Sequence, residues 1–223
     1  MSEIHGGIRG KSIRSNASSH TGKAVVFAMD IKDCFPSIGP HEVGLLLQKL
    51  GFADDASEIL VKLTTWKFQI PQGAHTSMAL ANLALAGIDL RIKGLALIHG
   101  FSYTRYVDDI SISGSWRLLK FRKLLLRIIE YEGFRVKANK VETMHRGMRQ
   151  VVTKLVVNGK VNLPREKREA IRKELQPLLR DPSISMTPSS LGRLHWLKFI
   201  NPTVGEPLVE KLKGAVARTG HNI

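Results

Sequence analysis

The chain has 223 residues, a formal net charge of +15 and 43% apolar residues. That length supports a sizeable core in one large or two small domains, and that composition excludes a disordered chain. A single cysteine, Cys34, excludes a disulfide framework and points to a reducing, cytoplasmic setting.

No apolar run reaches the length of a membrane span; the longest, Met78–Leu90, is interrupted by Asn82 and Asp89. The start, Met-Ser-Glu-Ile-His-Gly-Gly, lacks the apolar core of a signal peptide. The eight histidines show no zinc spacing. The charge is uneven. Residues 1–116 carry 11 Lys/Arg and 10 Asp/Glu, whereas residues 117–223 carry 23 and 9. A near-neutral half joined to a basic half suggests chemistry on one side and a grip on a polyanion on the other.

Residues 1–23 are polar and Gly/Ser-rich and read as a basic loop or a partial element. Ala24–Met29 is an apolar run that reads as a buried strand, ended by Asp30. A carboxylate emerging from the end of a buried strand is a frequent ligand position, though a cap or turn role fits it equally. Asp33 reads as a turn or surface residue. Gly39–Lys49 and Ala53–Phe68 show apolar residues at helical spacing. Val43, Leu46, Leu47 and Leu50 in the first, and Ile59, Leu60, Leu63 and Trp66 in the second, are assigned to the core. Ile70–Thr76 contains Pro71 and Gly73, which make a loop whose backbone can approach a ligand. It opens an Ala/Leu-rich helix over Ser77–Ile92, an arrangement that suits phosphate.

Tyr103–Ser113 reads Tyr-Thr-Arg-Tyr-Val-Asp-Asp-Ile-Ser-Ile-Ser. It predicts a β-hairpin with Asp108 and Asp109 at its tip. Successive strand residues face opposite ways, so both carboxylates share one site only if the tip is a tight turn, with Asp tolerating its corner. Two like charges this close repel unless a cation lies between them, and Mg2+ takes such oxygen ligands. A solvated turn is the plain alternative. Leu118–Tyr131 follows as a helix basic on one face (Lys120, Arg122, Lys123, Arg127), and Phe134–Val136, Val141–Met144 and Gln150–Val157 read as short strands. The core is therefore α+β, with helices against an antiparallel sheet. From Asn158 the character changes: a charged helix over Arg165–Leu179, a Pro/Ser-rich connector over Asp181–Ser190, and helices over Leu191–Ile200 and Leu208–Val216. These form a small basic helical domain at 160–223, with Trp196 read as a core anchor and a stacking platform as its alternative.

Together, a strand-end Asp, a Pro-Gln-Gly loop and, 78 positions after that Asp, a Tyr-x-Asp-Asp hairpin resemble the right-hand palm of a reverse transcriptase. Ala28–Phe35 is similar to the first catalytic motif, Ile70–Ser77 to the Pro-Gln-Gly motif, and Tyr106–Asp109 to the Tyr-x-Asp-Asp box. His5–His20, Leu80–Leu90, Gly133–Lys140 and Arg149–Asn158 extend the likeness across nearly the whole chain. They narrow it to the bacterial retron-like, defence-associated group. Lys154 stands where that group usually has Gly, and Met78 where it often has Pro. A basic fingers segment normally precedes the position of His5; either another chain supplies it, or the protein is reduced or truncated.

The resemblance implies a palm at 24–157 with a helical fingers insert near 53–70, a fingers remnant at 1–23 and a basic thumb at 160–223. It implies an RNA-directed DNA polymerase with two divalent ions, Mg2+ with Mn2+ as an alternative. Asp30 and Asp108 would hold the metals, with Asp109 assisting and the carbonyl of Ile31 adding an oxygen. Phe35 matches a steric gate against ribonucleotides, with core packing as its alternative. Gln72 and Gly73 would lie against the nascent pair, and Lys140 matches a candidate proton donor to pyrophosphate, with a solvated surface lysine as its equal alternative. Arg165, Lys167, Arg168, Arg172 and Lys173 would bind nucleic-acid backbone. The implied partners are an RNA template and primer from a cognate non-coding RNA, the DNA product, dNTPs and an effector protein in antiviral defence. Two other readings stand beside this one: a palm kept as an RNA-binding or assembly subunit, and another palm enzyme such as a nucleotide cyclase.

Overall fold

The computed structural model describes residues 3–180 and 187–217. The chain opens with a short helix, α1 (Ile13–Ser18), capped by Ser12 and Ser15 in a reciprocal box. Strand β1 (Val25–Asp30) follows, buried almost throughout. Four helices come next: α2 (Pro40–Lys49), α3 (Asp54–Thr64), α4 (His75–Ala84) and α5 (Ala86–His99). The hairpin β2 (Ser102–Tyr106) and β3 (Asp109–Gly114) returns to the sheet, and α6 (Arg122–Tyr131) and β4 (Glu142–His145) complete it. A small second hairpin, β5 (Val151–Val152) and β6 (Leu155–Val156), leads into α7 (Arg165–Arg180), α8 (Pro188–Ile200) and α9 (Pro202–Ala217).

The main sheet is antiparallel, in the order β2-β3-β1-β4. The helical excursion between β1 and β2 therefore ends with β3 seated beside β1. This register places Asp30 directly opposite Asp109, which sequence separates widely. The helices on one face bury Phe27, Met29, Ile110, Ile112, Ile88 and Leu125. The other face of β1 contributes Val26 to a second core shared with Val152, Leu155, Ile171, Leu194 and Leu197. Alternation along β1 thus feeds two cores, as the two-residue period of a strand requires. This is the expected α+β architecture.

Several elements differ from expectation. The Ala/Leu-rich segment is two helices rather than one, broken at Leu85 (φ −86°, ψ 0°), and the second runs on to Gly100, whose φ of 68° ends it. Leu118–Tyr131 begins as a 3₁₀ turn, Trp116–Phe121, before α6. Phe134–Val136 is no strand; Val136 makes a single bridge to Ile31. The last helix starts at Pro202, earlier than expected. The expected connector lies largely outside the described residues.

The core assignment of Ile59, Leu63 and Trp66 does not hold, since they are 59%, 75% and 67% exposed. Helix α3 packs through the narrow stripe Ser57, Leu60, Val61 and Thr64, so its other apolar residues face outward. Leu50 is also exposed, while Val43 and Leu47 are buried. Trp196 is exposed too, beneath the Lys167 ammonium at 5.6 Å, and Leu194, Leu197 and Ile200 anchor that core instead. The segment before β1 is packed, not loose. Ile4, His5, Asn16, Ala17 and His20 are buried. His20 bridges the hydroxyls of Ser113 and Thr104 at 2.7 Å each, and burial pushes its pKa down to about 3, so it stays neutral.

Candidate active site

Between β2 and β3 the chain turns in two residues, Val107 and Asp108. Of the two, only Val107 has a positive φ, 61°. That pattern is a type II′ turn, whose first corner favours glycine. The expected tight turn with an Asp at its corner is present in Asp108, and the strained first corner is held by a β-branched residue, Val107. Asp109 is the first residue of β3 and faces Asp30 across the ladder, and Asp108 projects from the turn beside them. The backbone locks this end of the sheet: the amide of Ile31 donates to the carbonyl of Asp108 at 3.0 Å, and that of Lys137 to the carbonyl of Asp30 at 2.9 Å.

The three carboxylates feel one another. Burial raises the Asp109 pKa to about 6, with the charges of Asp108 and Asp30 adding to the effect. Burial also raises Asp108, with Asp30 contributing. The same field reaches Cys34, whose thiol burial and then Asp108 push up to about 11. Lys137 answers this charge: its ammonium lies 2.7 Å from Asp30 Oδ1, whereas Lys140 is 3.8 Å from Oδ2 and more exposed. Lys137 was missed from the sequence. The available signal was its place three residues before Lys140, which a 3₁₀ turn brings to the same carboxylate.

Oxygen donors with uncompensated negative charge fit a hard divalent cation. Among the described residues no three His, Cys, Asp or Glu side chains close around one point, and Lys137 holds one oxygen of Asp30. The donor set therefore fits such an ion by chemistry and register, with a lysine standing where part of the positive charge would be.

The other expected residues are placed as follows. Ile31 is fully buried and follows Asp30 directly; Phe35 is half-buried, with one side packed against the main core. Gln72 and Gly73 are exposed in a loop closed by Ser77 Oγ donating to the Pro71 carbonyl at 2.6 Å. Gly73 has a φ of 93° and open space around it, and α4 begins there without a side-chain cap. A backbone bond from Ile70 to Ile38 ties this loop to the segment after Phe35. On α7, Arg165, Arg168 and Arg172 share one face by their spacing, while Lys167 turns to Trp196. Arg165 is paired with Glu169 at 2.6 Å. No contact among those described joins α7 to the carboxylates.

Residues 2–179 match the family model described as reverse transcriptase (RNA-dependent DNA polymerase). The chain belongs to the reverse transcriptase family. It is 35% identical to the retron Mx65 reverse transcriptase of Myxococcus xanthus, over 95% of this chain and 54% of that protein. It is 34% identical to the retron Ec86 reverse transcriptase of Escherichia coli, over 85% of this chain and 59% of that one. These relatives place it with the bacterial retron-like members, and it spans between half and three-fifths of their length.

Solved structures share the fold. The foamy viral protease-reverse transcriptase bound to an RNA/DNA hybrid superposes with a TM-score of 0.55 at 16% identity, over 98% of this chain and 30% of that one. Telomerase from Candida albicans, solved with a fragment of telomeric RNA, gives 0.51 at 10% identity, over 92% of this chain and 42% of that chain. The α+β architecture is thus that of the reverse-transcriptase palm. Among the described residues no helix is long and apolar enough to cross a membrane.

Proposed function

We propose that this chain is an RNA-directed DNA polymerase whose reaction centre is Asp30, Asp108 and Asp109. The observation that carries the reading is the register that sets Asp30 opposite Asp109 with Asp108 in the adjoining turn, in a chain of this family. Asp30 and Asp108 would hold two divalent ions, Mg2+ or Mn2+, with Asp109 and the Ile31 carbonyl supporting them. Bound there, the ions would activate the primer 3′-hydroxyl and neutralise the leaving diphosphate.

The chain's own residues supply the rest. Lys137 balances Asp30 when no ion does. Lys140, exposed and near the same carboxylate, gives a proton to the departing pyrophosphate. Phe35 presents its free side to the sugar of the incoming dNTP and disfavours a 2′-hydroxyl. Gln72 and Gly73 offer an open backbone to the nascent pair. Arg165, Lys167, Arg168, Arg172 and Lys173 bring positive charge to backbone phosphates, independent of sequence.

In this reading residues 24–157 are the palm, with helices near 53–70 as a fingers insert, and 160–223 the thumb. Its nucleic acid is an RNA template and primer, with a DNA product. The retron names of its relatives support a cognate structured RNA, and the resemblance extends this to a role in antiviral defence with an effector protein.

The test is incorporation of dTTP on poly(rA)·oligo(dT) with Mg2+ or Mn2+, beside Asp108→Ala/Asp109→Ala. Incorporation by the wild type and none by the variant, with RNA retention on filters equal in both, supports the polymerase. Retention of RNA by both and incorporation by neither favours an RNA-binding subunit, a reading to which the Lys137–Asp30 pair lends support.

A further inference from the structure

Behind the carboxylates lies a buried guanidinium that the proposed reaction does not use. Arg105 is fully buried in β2. Its Nε and Nη2 donate to the two oxygens of Asp89 on α5, at 2.8 and 2.7 Å. Its Nη1 donates to Asn82 Oδ1 on α4 at 3.1 Å and to the Val107 carbonyl at 2.7 Å. Tyr103 donates its hydroxyl to Asp89 as well. Asn82 in turn donates from Nδ2 to the carbonyl of Gly6 at 3.1 Å. One side chain therefore ties two helices and the turn into a unit, and through Asn82 reaches the N-terminal segment.

The segment before α1 closes the same turn from outside. Residues 3–5 pair along β2 through Glu3 O, His5 N and both backbone groups of Arg105. A Cβ on Gly6 would lie 2.3 Å from the Val107 nitrogen, so the chain approaches the turn as closely as glycine allows. Val107, held between these contacts, adopts a φ of 61°, which a β-branched residue rarely takes. Strain persists only where surroundings over-determine it, and here it sits one residue before Asp108.

We propose that Arg105 is a positioning residue: through Asp89, Asn82 and the Val107 carbonyl it holds the turn in its left-handed conformation and so sets the aim of Asp108 and Asp109. This rests on the polymerase reading for its consequence, yet its geometry is independent of it. A hub serving stability alone would anchor the helices to β2. This one spends a donor on the carbonyl of the strained residue itself. Because a charged Arg, a bidentate carboxylate and an amide share the hub, the turn is held from fixed directions rather than by shape alone.

The test follows from what glycine does at the first corner of a type II′ turn. Arg105→Gln is made with Asp89→Asn, so that no lone charge is buried. Val107→Gly is made alone and in that background, closing a double-mutant cycle. Mn2+ affinity is measured by calorimetry, folding by circular dichroism melts, and kcat and KM by dTTP incorporation on poly(rA)·oligo(dT). The hub variant is expected to lose about 100-fold in kcat with KM little changed. It is expected to bind Mn2+ about 10-fold more weakly. Val107→Gly is expected to restore a substantial part of both losses, since glycine takes the positive φ without help.

A folded hub variant with wild-type Mn2+ affinity, or losses that Val107→Gly leaves untouched, would overturn the role. If the hub variant does not fold, Asn82→Ala takes its place: it keeps the ion pair and removes one amide, and an Mn2+ affinity equal to wild type would count against the proposal. A wild type that binds Mn2+ but incorporates nothing overturns the polymerase reading alone, since the affinities still decide the role of Arg105. A wild type that binds no Mn2+ overturns both.

Discussion

Two arginine–carboxylate pairs of nearly equal length show how the halves of this chain use charge. Arg105 Nη2 meets Asp89 at 2.7 Å inside the sheet–helix core, and Arg165 Nε meets Glu169 at 2.6 Å on the surface of α7. The first pair is buried, bidentate and joined to a tyrosine, an asparagine and a backbone carbonyl. In the second, Arg165 is 80% exposed and its neighbours on the helix include further exposed charges. Distance does not separate them; dielectric and fixation do. Behind the sheet end a charge has a fixed set of partners, as Arg105 has in Asp89, Asn82 and the Val107 carbonyl. On the exposed face of α7, in the proposed reading, the charges would act as a sum, which is what a polyanion without sequence preference requires.

The comparison is sharpest at its extremes. Asp30→Asn is expected to abolish dNTP incorporation while leaving RNA binding near wild type, because a single addressed carboxylate is lost from the sheet end. Incorporation surviving in a gel-based extension assay would remove Asp30 from the site. Next comes the pair itself. Arg105→Ala leaves Asp89 buried and unpaired and is expected to destabilise the fold by about 3–5 kcal/mol in urea titration, whereas Arg165→Ala is expected to leave the midpoint unchanged. Equal midpoints for the two variants would erase the distinction.

On the basic side, Arg165→Gln/Arg168→Gln/Arg172→Gln is expected to lower the log–log salt slope of single-stranded RNA binding by about 2, given roughly 0.7 per phosphate contact. A change confined to one RNA sequence would argue for addressed contacts there too.

Smaller effects test the field around the carboxylates. Asp109 has its pKa raised from an ordinary 3.8 to about 6, so the folded state holds that proton more tightly than the unfolded chain. Its contribution to stability is therefore complete below pH 3.8 and is lost as pH rises through about 6. Metal-free melts are expected to show this decline, and Asp109→Asn to flatten it. A profile unchanged by that substitution would mean Asp109 ionises without hindrance.

The smallest effect concerns Lys154, which stands where the family usually has glycine. Its φ is 66°, in the region glycine prefers, and its charge acts on Asp109. Lys154→Gly is expected to stabilise the fold by about 1 kcal/mol through relief of that strain. A loss of stability would show that the lysine side chain offsets its own backbone cost.

Much of this was legible in order along the chain. The apolar run before Asp30, the Pro-Gln-Gly loop and the paired aspartates marked their own elements, because strand burial and turn chemistry are local properties. The type of most helices was legible for the same reason. The face each helix turns inward was not: α3 carries as many large apolar residues outside (Ile59, Leu63) as inside (Leu60, Val61), since what it packs against is decided by α2. Lys137 left only a spacing signal, three residues before Lys140, and that its ammonium meets Asp30 depends on where the end of β1 lies. Arg105 was hidden because a single Arg in a strand reads as surface, and only its distant partners Asp89 and Asn82 make it a core residue.

Sequence alone thus determined which residue types could hold a divalent ion, and which family they resemble, because motifs record chemistry at short range. Tertiary structure decided that Asp30 and Asp109 are neighbours, that of the two turn residues Val107 takes the positive φ, and that a buried guanidinium stands behind it. Those are consequences of strand register and of helices closing over a sheet, which depend on contacts between residues far apart in the chain.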